Sequence, residues 1–288
     1  MQPTGSAKST GAGFRIAGFG HVLFAVTLIA IGIQGLMEGH FTAIWSGVPK
    51  GLPARTALAY LCALVCVGSG IGMLWRPTAA IASRLLLAYL ALWMLFFRVP
   101  LLVRAPASSA AWWVCGETAA MMAGAWVLCV WFAGGRSGAL AAFVSGDTGL
   151  RVARTLYGLA LIPFGIAHFT FLERTVGMVP GWLPGHLGWA YFTGGSLVAA
   201  GLAIVIGVLP RLAATLSAWE MTLFTILVWV PVVVAGPDAS QWAEFVDSCV
   251  LTGAAWLVAD SYRGMPWLAV GTRSTLPGDA PAGILLAP

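Results

Sequence analysis

Eight long apolar runs, separated by short breaks rich in glycine, proline or charge, dominate the chain. Their limits fall near 15–37, 56–75, 79–102, 110–133, 153–171, 187–209, 211–236 and 240–262. Each is close to the ~20 residues an α-helix needs to cross the hydrocarbon core of a bilayer. In lipid the backbone must satisfy its own hydrogen bonds, so runs of this length predict helices. Hydrophobicity does not alternate from residue to residue, which excludes a β-barrel pattern. The first run is too long for the apolar part of a signal peptide, and no convincing cleavage site follows it, so it is expected to be retained.

Composition supports the bilayer as solvent. Of 288 residues, 59% are hydrophobic and only 9% charged, against about 25% charged in a soluble domain. The net charge of +5 comes from basic residues scattered singly between apolar runs. They form no stripe, so the pattern gives no reason to expect a nucleic-acid partner. The lipid bilayer is the partner that composition does predict. Trp112, Trp113, Trp182, Trp189 and Trp242 cluster near one set of helix ends, and Trp75, Trp131 and Trp267 near the other, as in an aromatic belt. With eight helices, both termini share a side. That side carries Lys8, Arg15, Arg76, Arg84, Arg136, Arg151, Arg154, Arg211, Arg263 and Arg273. The opposite side carries Lys50, Arg55, Arg98, Arg104 and Arg174. The excess predicts a multi-pass protein of the cell (plasma) membrane, the inner membrane of a bacterial cell, with both termini cytoplasmic.

The chain also repeats itself. At an offset of 131, Val48, Pro49, Leu52, Pro53, Ala59 and Tyr60 recur as Val179, Pro180, Leu183, Pro184, Ala190 and Tyr191. Val67, Gly70, Val99 and Pro100 recur as Val198, Gly201, Val230 and Pro231. A one-residue slip then aligns Trp112 with Trp242, Glu117 with Asp247 and Trp126 with Trp256. Upstream, the His-Phe-Thr of 40–42 aligns with that of 168–170. The expected fold is therefore all-α: eight transmembrane helices in two four-helix repeats, parallel because each repeat holds an even number of spans. The expected units are a disordered cytoplasmic N-terminus at 1–14, a first repeat at 15–133, a cytoplasmic linker at 134–152, a second repeat at 153–263 and a disordered cytoplasmic tail at 264–288.

A helix ending in Gly165-x-x-His168-Phe169, followed by Val179-Pro180-x-Trp182-Leu183-Pro184, a glycine-bearing helix (Gly201) and a helix ending near Pro231 resembles the DoxX-like membrane proteins. The second repeat carries the resemblance. The first departs from it, with Gly51 in place of the tryptophan and a shorter loop. The resemblance implies a four-helix membrane unit. It also implies a membrane subunit of a quinone-linked or thiol/sulfur-linked redox system, with quinone as the expected cofactor and a redox protein as the expected partner. It supplies no ligand set and leaves open whether the chain is itself an enzyme.

Polar residues within the apolar runs are the candidates for function, since a charge near mid-membrane costs at least ~2.5 kcal/mol on insertion scales. In the second repeat these are His168, Glu220, Glu244 and Asp247, with Glu244 and Asp247 sharing a helix face. A histidine beside carboxylates can pass protons or bond a quinone carbonyl. In the first repeat they are His40, Arg98 and Glu117. Arg98 and Glu117 are expected to pair between neighbouring helices, or Arg98 and His40 to form an anion site. Trp229 stands where Arg98 would recur, so the halves are not expected to bind the same ligand. His21, inside the first run, reads as a core hydrogen bond. The five cysteines lie in apolar runs without a C-x-x-C pair, and no metal site is expected. Two readings from other classes stay open. One is a small-solute or ion transporter using Glu220. The other is a non-catalytic scaffold that docks partners through Val179, Pro180, Trp182, Leu183 and Pro184.

Overall fold

The computed structural model describes residues 16–133, 144 and 146–270. Among these, eight helices are long and apolar enough to cross a membrane: α1 (Phe19–Glu38), α2 (Arg55–Leu74), α3 (Ala79–Arg104), α4 (Ser109–Phe132), α5 (Asp147–Thr170), α6 (His186–Ile206), α7 (Pro210–Val234) and α8 (Ala239–Ser261). The chain is thus all-helical and suited to multi-pass insertion. The expected N-terminal segment 1–14, most of the linker and the tail beyond 270 lie outside the described residues.

Neighbours in sequence pack on one another from α1 to α4 and from α5 to α8. In addition α4 lies on α5, α8 lies on α1, and α4 and α8 touch. α4 and α8 are consequently mostly buried, while α3 and α7 turn most of their surface outward. Leu64, Ile71, Leu85, Leu92, Phe192 and Leu216 are exposed on the outer helices. A shell of this kind suits lipid and would be a liability in water.

Small residues set the helix contacts, because apolar side chains gain nothing by leaving lipid for one another. A Cβ on Gly32 would lie 2.5 Å from the Ala63 carbonyl oxygen, and one on Gly70 would lie 2.6 Å from that of Ala25. These two contacts clamp α1 to α2. Gly165 meets the Gly194 carbonyl in the same way, and Gly201 that of Gly158, clamping α5 to α6. In the GSGIG stretch at 68–72, Gly70 and Gly72 thus serve helix packing, while Gly68 faces open space. His21 is fully buried; its Nδ1 accepts from the Ala17 amide at 3.2 Å and its Nε2 donates to the Met73 carbonyl at 3.2 Å. The expected core hydrogen bond is present.

Two spans widen locally. Met94–Arg98 in α3 and Thr225–Trp229 in α7 form π-helical segments, with the Val99 amide bonded to the Met94 carbonyl and the Val230 amide to that of Thr225. The cause lies just downstream. Pro100 and Pro231 have no N–H to donate, and their rings crowd the carbonyl four residues back. One extra residue per turn relieves that crowding. It also rotates the end of each segment, Arg98 in one case and Trp229 in the other.

Two element limits differ from the sequence reading. α5 begins at Asp147, not 153. Asp147 suits the positive end of a helix, and Arg154 is held by Ser261 at the end of α8, through its hydroxyl at 3.0 Å and its carbonyl, with the Tyr262 ring 4.0 Å away. Nor does order stop at 263. The Leu209 amide donates to the Ala269 carbonyl at 2.9 Å, and Arg211 donates to the Met265 carbonyl and lies 4.0 Å from the Trp267 ring. The first part of the expected tail thus folds onto the α6–α7 turn. At the start of α8, Asp238 accepts from the Gln241 amide at 2.8 Å and Gln241 Oε1 accepts from the Asp238 amide at 3.0 Å. The Gln241 amide bond holds the Asp238 carboxyl below its ordinary range.

Gly165→Ala is expected to destabilise the fold by about 2 kcal/mol through overpacking. Gly195→Ala, where an added Cβ meets no atom within 4 Å, is expected to be neutral or slightly stabilising. Thermal loss of the monodisperse detergent-solubilised peak compares the two.

Candidate functional site

Among the described residues Arg98 is the largest fully buried side chain, with no exposed surface. Such a group must find partners for its donors inside the protein. Its Nε donates to Thr118 Oγ1 at 3.0 Å, its Nη1 to the Ser46 carbonyl at 2.7 Å and its Nη2 to the Ile44 carbonyl at 2.7 Å. Both carbonyls belong to the loop after α1. The loop is drawn inward, and the indole of Trp45, 2% exposed, fills the space beside Tyr89 and Trp93 at centroid distances of 5.2 and 4.9 Å. The end of the first half is closed by its own chain.

The expected first-half group is not assembled as such. Arg98 forms no ion pair with Glu117 among the described residues; it is bonded to backbone and to a hydroxyl. The spacing suggested the pair because both residues lie in the outer portions of adjacent helices, but the π-helical rotation aims Arg98 at the loop. His40 is also elsewhere. Its side chain is 60% exposed, 3.4 Å from Glu38, because α1 ends at Glu38 and leaves it beyond the helix.

An open cavity of about 590 Å³ lies instead between α4, α5, α7 and α8. Glu117, His168, Glu244 and Asp247 all line it. The structure therefore brings three second-half candidates together with one from the first half, because α4 packs on α5 and against α8. Its walls are largely apolar, with the rings of Trp113, Phe164, Phe171, Phe224 and Trp229 and the side chains of Leu197, Met221 and Leu251. No cysteine is among its lining residues.

The polar groups are held by specific partners. His168, 7% exposed, has its Nδ1 2.8 Å from the Phe164 carbonyl and its ring edge-on to Phe224 at 5.5 Å. A carbonyl can only accept, so Nδ1 carries the proton and Nε2 of the neutral ring is left as an acceptor. Trp113 Nε1 donates to Glu117 Oε1 at 2.5 Å, and the other oxygen has no hydrogen-bond partner among the described residues. Asp247 makes no hydrogen bond among the described residues; it feels the like charges of Glu117 and Glu244 and the opposite charge of Arg98. One residue along, Ser248 is 2.7 Å from Thr225, which is 2.9 Å from Thr252. At the mouth, Arg174 on the short helix Leu172–Met178 binds both oxygens of Glu244 at 2.7 Å. The pair is partly exposed, so it contributes little stability.

Glu220 does not line this cavity. It sits between α6 and α7, where Ser196 donates to one carboxylate oxygen at 2.7 Å and the other oxygen is buried without a partner among the described residues. The outer-loop motif is likewise separate. The Leu183 amide donates to the Pro180 carbonyl at 2.9 Å and Trp189 Nε1 to the Pro184 carbonyl at 3.1 Å. These bonds make Val179, Pro180, Leu183 and Pro184 a turn into α6, with Trp182 exposed. The aromatic walls escaped the sequence reading, but a signal was there. Trp113 precedes Glu117 by four residues, Phe164 precedes His168 by four, and Leu251 follows Asp247 by four, so each shares a helix face with a polar candidate.

No protein-family model, no curated protein and no solved structure matches the chain. Among the described residues no group of three or more His, Cys, Asp or Glu side chains is arranged to hold a metal ion.

Arg98→Gln is expected to cost about 3 kcal/mol, because it strands buried carbonyls. It should also release the α1–α2 loop. Faster tryptic cleavage after the exposed Lys50, alongside a lowered melting temperature, is the expected result.

Proposed function

We propose that the protein is a DoxX-like membrane protein, built by tandem duplication, that serves as the membrane subunit of a quinone-linked redox system. In this reading its second half binds the quinone ring in the cavity between α4, α5, α7 and α8, and both termini face the cytoplasm. The observation that carries the reading is the cavity itself. It combines aromatic rings in its walls with the polar groups of His168, Glu117 and Asp247 along its lining. A lipid-soluble ring with oxygen at its edge has that same division of surfaces. The absence of cysteine from the lining favours the quinone form of the reading over the thiol or sulfur form.

Duplication is supported by more than the matched residues. The π-helical segments Met94–Arg98 and Thr225–Trp229 lie 131 residues apart. So do the left-handed residues Ala54 and Gly185 that precede α2 and α6. The Gly32 and Gly165 contacts fall on Ala63 and Gly194, again 131 apart. Gly32 and Gly165 themselves lie 133 residues apart, and in that helix register the residue in the place of His168 is Gly35, which faces Ala63 as His168 faces Gly194. The matched His-Phe-Thr triplets thus do not occupy matched places.

Protein purified in mild detergent should retain quinone, detected in the extract by its absorbance change on borohydride reduction. His168→Ala and Asp247→Asn should each weaken retention about tenfold, as expected for one lost hydrogen bond to a charged or strongly polar partner. Retention equal to wild type in both variants would sink the reading. One observation favours transport as a second reading: the unpartnered oxygen of Glu220 within the spans. On that reading Glu220→Gln abolishes solute uptake in proteoliposomes and leaves quinone retention unchanged.

A further inference from the structure

We infer that the cavity is selective for the reduced, hydroxyl-bearing form of its ring ligand, a hydroquinone, over the oxidised quinone. The inference rests on the reading that the cavity holds a quinone-type ring, and it turns on the hydrogen-bonding sense of the groups that line it. His168 is more than nine-tenths buried. Its Nδ1–H is committed to the Phe164 carbonyl, so the Nε2 that remains for a ligand is an acceptor and has no partner among the described residues. Glu117 spends one oxygen on Trp113 and keeps the other. Asp247 keeps both. Arg174, the donor-rich group of the lining, is turned to Glu244 and binds both its oxygens through Nη2, so with one proton shared between Glu117 and Asp247 acceptors outnumber donors among His168, Glu117 and Asp247.

A quinone offers only carbonyl oxygens, and two acceptors face to face leave both unsatisfied. Leaving a buried acceptor unsatisfied weakens binding. A hydroquinone offers an O–H at each end of the ring. One hydroxyl can donate to His168 Nε2 and the other to a carboxylate oxygen, with the ring between Phe164, Phe224 and Trp229. Binding alone is assigned; no electron transfer is routed through this chain.

The measurement is equilibrium binding of decylubiquinol and of decylubiquinone to the purified full-length protein, read by quenching of tryptophan fluorescence, since Trp113 and Trp229 line the cavity. Decylubiquinol is expected to bind at least about tenfold tighter, the ratio that one satisfied acceptor gives. In His168→Phe the ratio is expected to fall towards one, because a ring of similar size remains without the acceptor. In Asp247→Asn, which removes a carboxylate acceptor, decylubiquinol is expected to lose more affinity than decylubiquinone, so the ratio falls there too. Should His168→Phe fail to fold, the Asp247→Asn shift decides alone. Equal or tighter binding of decylubiquinone by wild type overturns the selectivity and leaves the quinone reading standing. Binding of neither form overturns both.

Discussion

A guanidinium without exposed surface constrains everything around it. Arg98 cannot reach water, so its N–H groups must be met by the protein. They are met by two backbone carbonyls of the α1–α2 loop and one hydroxyl on α4. Part of the loop is therefore drawn inward: Ile44 and Trp45 are buried, while Ala43, Ser46, Gly47 and Lys50 stay exposed. On the proposed duplication, Trp229 occupies the place of Arg98, and an indole has no fork of donors with which to recruit a loop. The short helix Leu172–Met178 stays above the helices, and the space beneath it remains open. One residue identity thus separates a filled half from an open one.

Proline acts on the same feature from a distance. Pro100 and Pro231 do not touch the cavity, yet each imposes the π-helical turn that decides where the fifth residue of the segment points. Had α3 been a regular helix, Arg98 would be turned by roughly a quarter of a turn, as one residue advances a helix by about 100°. The pairing with Glu117 that sequence spacing suggested would then compete with the loop carbonyls.

The helices were legible because a bilayer leaves the backbone little choice, and eight apolar runs give eight spans to within a few residues. The exceptions have polar causes. Asp147 starts α5 ahead of its apolar run, and Arg211 and Trp267 bind the start of the tail. The site was legible only in part. Each polar candidate was visible as a charge or a histidine where lipid was expected. What could not be read was the grouping, because helix order in sequence does not state which helices meet. Glu117 belongs by sequence to the first half, but α4 lies on α5 and beside α8, so its carboxylate faces the second half's cavity. Glu220 is nearer to Asp247 in sequence than Glu117 is, yet it points between α6 and α7. Likewise the shared His-Phe-Thr made His40 look like a partner of His168, although α1 ends before His40 and α5 continues through His168.

Charge placement explains why closure of one half and openness of the other belong together. The interior holds Glu117 and Asp247, and Arg98 is the basic group whose charge reaches both. With three of its N–H groups committed to the loop carbonyls and to Thr118, Arg98 forms no direct ion pair with the acids among the described residues. It offsets the carboxylates through space and leaves their oxygens available as acceptors. A direct bidentate pair would satisfy those oxygens and remove them from ligand binding. Holding the α1–α2 loop and keeping the acids unpaired are therefore two consequences of the same three hydrogen bonds, and the cavity retains its acceptors because the arginine is occupied elsewhere.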